Sequence, residues 1–128
     1  MRYRVTNTTR NSRLAEDAGA ADTFWARFKG LMGQTSLPLG HGLLIEPCNS
    51  VHTFFMKIDI DVVFLDSKRK VVGVAHSMVP WRMSRYYPSA KSVLELPAGV
   101  ALASGTQPGD ELRFEPIANA LTGAENVG

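Results

Sequence analysis

The sequence predicts an α+β fold: a mainly antiparallel sheet that can curl into a barrel-like form, one longer helix and one short helix. Three observations predict it. Short segments rich in Val, Ile, Leu and Phe recur between Tyr3 and Glu115, divided by Gly, Pro, Asn and Asp turns. One stretch, Ala20 to Met32, instead repeats apolar residues at helical spacing, with Phe24, Phe28 and Leu31 four and three apart. No internal repeat or linker interrupts the chain, so residues 1–118 are expected to form one compact domain. The small, polar residues 119–128 are expected to form a loose tail.

Taken in order, Tyr3 to Val5 begins a first strand and Leu14 to Ala18 a second. In the predicted helix, Trp25 and Met32 widen the apolar face, Asp22 caps the start and Gly33 the end. Residues 34–41 read as a loop around Pro38 and Gly40, and Gly42 to Ile45 as a strand closed by Glu46-Pro47. The apolar run from Val51 to Leu65 favours strand because of its Val, Ile, Phe and Thr content. Unbroken, it would extend roughly 50 Å, beyond ordinary strands, so a break is expected near Lys57 to Asp61. Ser67 to Lys70 is a polar turn and Val71 to Val79 the return strand, making Val62 to Val74 a hairpin.

The aromatic and basic segment 80–88 has no regular period. Ser92 to Leu96 is a strand, and Pro97-Ala98-Gly99 opens a short helix that Gly105 terminates. Pro108-Gly109-Asp110 is a turn before a last strand, Glu111 to Glu115.

Composition limits the function classes. With 128 residues, 45% hydrophobic and 20% charged, the chain can bury a real core and is not disordered or fibrous. The run Ile58 to Leu65 is too short and too acidic to span a bilayer. Positive charge near the N-terminus lacks an apolar segment behind it, so no secretory signal is read and a cytoplasmic location is expected. A single cysteine excludes an intramolecular disulfide framework. Lys68, Arg69, Lys70, Arg82, Arg85 and Lys91 follow Asp66 with no carboxylate before Glu95, a distribution that can attract anions.

Chemistry-bearing residues concentrate in Cys48 to Asp66. On a strand, His52, Phe54, Met56, Ile58, Ile60, Val62 and Phe64 share one face, while Lys57, Asp59 and Asp61 share the other. Lys57, with Asp59, Asp61, Arg82 and Glu95, can build a polar ligand pocket, although a structural ion-pair network that closes the sheet is favoured over a catalytic set. Cys48, His52 and Met56 form a soft C-x3-H-x3-M set suited to copper. Strand spacing holds successive members roughly 13 Å apart, which opposes a shared ion and favours a buried thiol and thioether. Cys48 can also be read as a nucleophile with His52 or His76 as base, against an inert apolar cysteine. The loop 81–87, with two arginines and three aromatics, can stack on bases and neutralise phosphate, or pack back on the sheet. No nucleic-acid motif, zinc-finger spacing or glycine-rich phosphate loop is present, so neither a cofactor nor a resident metal is expected.

Several separated motifs carry a resemblance. Gly30-Leu31-Met32, Leu37-Pro38, the run from His52 to Asp66, Val93 to Gly99 and Gly109-Asp110 occur in this order. Across about residues 13 to 115 the chain resembles the bacterial and archaeal family of unknown function DUF192. The resemblance implies a small, compact α+β domain and no particular activity. It places Met56, Lys57, Asp61, Glu95, Gly99, Gly109 and Asp110 on family motif positions. Cys48 and His52 belong to a subgroup only, which opposes a chemistry common to the family. The expected function is a non-catalytic small-ligand-binding or accessory domain, whose partner is a small molecule or anion and whose site is Lys57, Asp61, Arg82 and Glu95. Alternatives are a thiol enzyme or metal protein using Cys48 and His52, and anion or nucleic-acid binding through loop 81–87.

Overall fold

A computed structural model of the chain describes residues 1–21, 36–54 and 56–117. Alternating apolar residues build strands β1 (Arg2–Asn7), β2 (Ser12–Ala21), β3 (His41–Ile45), β4 (Ile60–Leu65), β5 (Val71–Met78), β6 (Ser92–Pro97) and β7 (Leu112–Ile117). One five-residue helix, α1 (Val100–Ser104), follows β6. The strands form a single sheet in the order β5-β4-β6-β3-β2-β1-β7. Neighbours run antiparallel except β2 and β3, which are parallel, so the sheet is mixed.

This corrects the expected fold class. Among the described residues the protein is essentially all-β with minimal helix, not α+β. Ala20 and Ala21, the start of the predicted longer helix, end β2 and pair with Leu44 and Ile45. Sheet pairing outweighs the helix propensity of alanine there. The rest of that helix, with its Asp22 and Gly33 caps, lies outside the described residues. Nor does the sheet close into a barrel. Its edge strands approach only at their starts, where Lys70 bridges Glu111 and the Val71 N–H donates to the Asp110 carbonyl at 2.8 Å.

The apolar residues sort onto two faces. Val5, Leu14, Leu44, Val63, Leu65, Val71, Leu94, Leu96 and Leu112 draw one buried cluster from all seven strands. Ile45, Ile60, Val62, Phe64, Val93 and Met56 build a second cluster on the other face, against which Cys48, Val51, Ile58 and Tyr87 pack. Strict alternation along β4 and β6 makes this division, because their register runs unshifted from Ile60↔Pro97 to Leu65↔Ser92.

The long apolar run does break. β4 begins only at Ile60, after an irregular stretch. The hairpin from β4 to β5 closes on Asp66, whose carboxylate accepts the Lys68 and Lys70 N–H groups at 2.8 and 2.9 Å. At the other end of the short helix, Gly105 takes φ 71° and its N–H caps the last turn, a conformation that glycine adopts without steric cost.

Candidate functional site

Asp61 is fully buried on β4, on the side of the Val63 and Leu65 cluster. Its Oδ2 accepts the N–H groups of Gly99 and Ala101 at 3.0 and 2.8 Å, and its Oδ1 accepts that of Ser77 at 2.8 Å. A register shift in β5, between the pairs Ile60↔Met78 and Val62↔Ala75, accompanies this contact and turns the Ser77 N–H inward. Asp61 therefore fastens the start of α1 and the end of β5 to β4. Three donors on one carboxylate leave it little capacity for a ligand.

Glu95 presents the opposite case. It is 4% exposed in the middle of β6, paired with Leu43 on one side and Val62 on the other. Alternation directs its side chain to the face of Val93 and Val62, away from Asp61. Its Oε1 is buried and has no hydrogen-bond partner among the described residues. Burial pushes its carboxyl from the ordinary 4.5 up to about 7, because the charged form loses its water without gaining a donor. The four-residue pocket expected from the sequence is thus divided by the sheet: Asp61 and Glu95 occupy opposite faces. Lys57 and Arg82 are exposed, and among the described residues neither enters an ion pair.

The members of the second set sit in different surroundings. Cys48 is half-buried, with its thiol donating to the Ser50 carbonyl at 3.0 Å. Met56 is buried in the second cluster. His52 is exposed, its Nδ1 accepts the Phe54 N–H at 3.3 Å, and its ring lies 4.8 Å from that of Phe54. Among the described residues no group of three His, Cys, Asp or Glu side chains is arranged to hold a metal ion.

Around His52 the structure organises the aromatic loop. Thr53 is fully buried, and its hydroxyl donates to the Val79 carbonyl at 2.7 Å while accepting the Arg82 N–H at 2.8 Å. Its backbone pairs with Trp81 and Arg82. Phe54 then stacks on Trp81 at 5.7 Å, and Trp81, Met83 and Tyr86 stand more than half exposed. Thr53 went unnoticed in the sequence because its role depends on a partner about thirty residues away, and no local pattern signals that.

A third buried carboxylate shows what full satisfaction looks like. Asp110 accepts from Asn7 Nδ2 at 2.9 Å, from the Gln107 N–H at 3.1 Å and from Arg10 Nε at 3.1 Å. Burial alone would raise its pKa, but these donors and the Arg10 charge outweigh that and hold it below the ordinary carboxylate value. The network ties the β1–β2 turn to the start of β7 and is structural in form.

Comparison with known proteins agrees with the motifs. Residues 5–114 match the family DUF192, described as "Uncharacterized ACR". A UPF0127 protein of Thermococcus sibiricus is 37% identical over 99 residues, covering 74% of this chain and 64% of that protein. The chain thus spans slightly under two thirds of that relative's length. A UPF0127 protein of Thermococcus kodakarensis is 32% identical over 118 residues, covering 88% of this chain and 73% of the relative. These two relatives are archaeal, so they support the archaeal and not the bacterial part of the expectation. A crystal structure of a protein of unknown function from Novosphingobium aromaticivorans superposes with a TM-score of 0.77 at 26% identity, covering 88% of this chain and 84% of that one. No helix among the described residues is long and apolar enough to cross a membrane.

Proposed function

The chain belongs to the DUF192 (UPF0127) family, and from that premise we propose that it is a non-catalytic domain that binds a small ligand on the Glu95 face of its sheet. One observation carries the reading: Glu95 is buried and its Oε1 has no hydrogen-bond partner among the described residues, whereas Asp61 and Asp110 are each met by three or more donors. An unpaired buried carboxyl costs stability, and a ligand that brings a hydrogen-bond donor or a positive charge removes that cost. Lys57 lies exposed between Met56 and Ile58, which pack in the cluster on the Glu95 face, and in this reading it supplies a charge for an anionic part of such a ligand. Asp61 leaves the site in this reading and acts as the strut that holds β4 and α1.

The test is a thermal-shift screen of amines, amino acids and nucleosides at pH 7.5, run on the native protein and on Glu95→Gln. Ligands that bind the folded state raise its melting temperature. A hit that stabilises the native chain and loses its effect in Glu95→Gln supports the proposal. Hits that stabilise both proteins equally would refute Glu95 as the ligand-facing group. The exposed stack of Phe54 on Trp81, with Met83 and Tyr86 beside it, favours a second reading, an accessory domain that meets its partner through this loop. Substituting Trp81 by Ala would then abolish partner capture while leaving ligand shifts at Glu95 unchanged.

A further inference from the structure

A cleft of about 260 Å³ beside the edge strand β5 is lined by Val72, Gly73 and Val74, His76, Arg85, Tyr87 and the segment 106–108, and not by Glu95. Its floor is fixed by a close approach. The Tyr87 ring lies directly on Gly73, where an added Cβ would come within 2.3 Å of the ring, and it also packs on Phe64 at 4.3 Å between centroids. Glycine is required here because no side chain fits beneath the ring. The Tyr87 N–H donates to the Asn49 carbonyl at 2.9 Å, so the wall is held by backbone as well. The Arg85 guanidinium sits 5.8 Å from the centre of the Tyr87 ring, within reach of a cation–π contact.

The charge around this cleft is one-sided. Arg85 and His76 line it, no lining residue is acidic, and among the described residues neither forms an ion pair. The carboxylate nearest in sequence to its lining, Asp110, is buried and already engaged by Asn7, Arg10 and the Gln107 N–H. Gln107 adds a side-chain amide that can donate. We propose that this cleft binds a small oxyanion, a carboxylate or phosphate group, held by Arg85 and His76 against the Tyr87 wall. A guanidinium matches either group through paired N–H donors, and an uncompensated cation in a concave wall attracts anions from solution. Glu95 is not among the lining residues, and the outcome with anions and Arg85→Gln does not depend on the Glu95 screen.

The experiment follows backbone amide resonances of the whole chain while sodium phosphate, or separately sodium succinate, replaces sodium chloride at constant ionic strength. Saturable shifts confined to Val72–Val74, His76 and Thr106–Gln107 are expected. Saturation by phosphate alone assigns a phosphate group, and saturation by succinate alone a carboxylate; both support the site. Arg85→Gln, at an exposed position, should weaken binding by roughly tenfold, the loss of one charge-assisted contact. Arg113→Gln, an exposed arginine that does not line the cleft, should leave it unchanged. Linear shifts scattered over the surface with both anions, or equal affinity in Arg85→Gln, would overturn the proposal.

Discussion

Asp61 and Glu95 sit on adjacent paired strands, one position out of register, and both are buried, yet their surroundings differ completely. Asp61 faces the cluster shared by all seven strands, where the start of α1 and the bulged end of β5 aim three N–H groups at it. Glu95 faces the other cluster, flanked by Leu43 and Val62, and its Oε1 meets no donor among the described residues. The difference shows that burial by itself does not identify a structural carboxylate. What separates a strut from a candidate site is whether the backbone has been folded to answer the charge.

Variants that remove each group should move stability in opposite directions. The largest effect is expected for Asp61→Ala, which strands three N–H groups and should cost about 4 kcal/mol in chemical denaturation. A cost below about 1 kcal/mol would place Asp61 with Glu95 as a poorly used carboxylate. Glu95→Gln should do the reverse. Because its folded-state pKa is raised from 4.5 to about 7, the native protein holds an extra proton between those values, and its stability falls as pH rises through that window. At pH 8 Glu95→Gln should therefore be more stable than the native chain by about 3 kcal/mol, and near pH 4.5 the two should converge. Denaturation curves that stay parallel between pH 4.5 and 8 would contradict the unpaired state of Glu95.

Asp110 extends the contrast with a smaller effect. Its folded-state pKa is lowered, so its contribution is fully present above the ordinary carboxyl value and is lost as pH falls through the lower folded value. Asp110→Asn should cost about 2 kcal/mol at neutral pH and flatten the acid limb of the stability profile. A native-like acid limb in this variant would assign acid sensitivity elsewhere. Smallest is Gly105→Ala, which strains the αL cap of the helix that Asp61 fastens from the other end; a loss of about 1 kcal/mol is expected. If Asp61→Ala and Gly105→Ala act on the same helix, their combined loss should fall short of the sum.

Much of the local structure was legible in the chain. Alternation and turn chemistry located all seven described strands, the hairpin at Asp66, the break before Ile60 and the glycine stop at Gly105. These depend on residues close in sequence, where steric preference and hydrogen-bond reach act directly. The fold class was misread for a related reason: the helical spacing of Phe24, Phe28 and Leu31 was extended back to Ala20 and Ala21, for which β3 supplies a parallel partner that no nearby residue announces.

For the candidate site the sequence supplied only a list of chemically able residues. Strand parity does not reach Lys57, which precedes β4, and it could not say which face Glu95 would take, because that depends on the register between two strands about thirty residues apart. Nor could it foresee that backbone N–H groups from Gly99, Ala101 and Ser77 would occupy Asp61, or that Tyr87 would close over Gly73 beside Arg85. By itself the sequence determined strands, turns, family and the list of chemically able residues, since those follow from local sterics and composition. Tertiary structure alone decided which carboxylate is satisfied and which is not, because hydrogen-bond partners for a buried charge come from segments that only folding brings together.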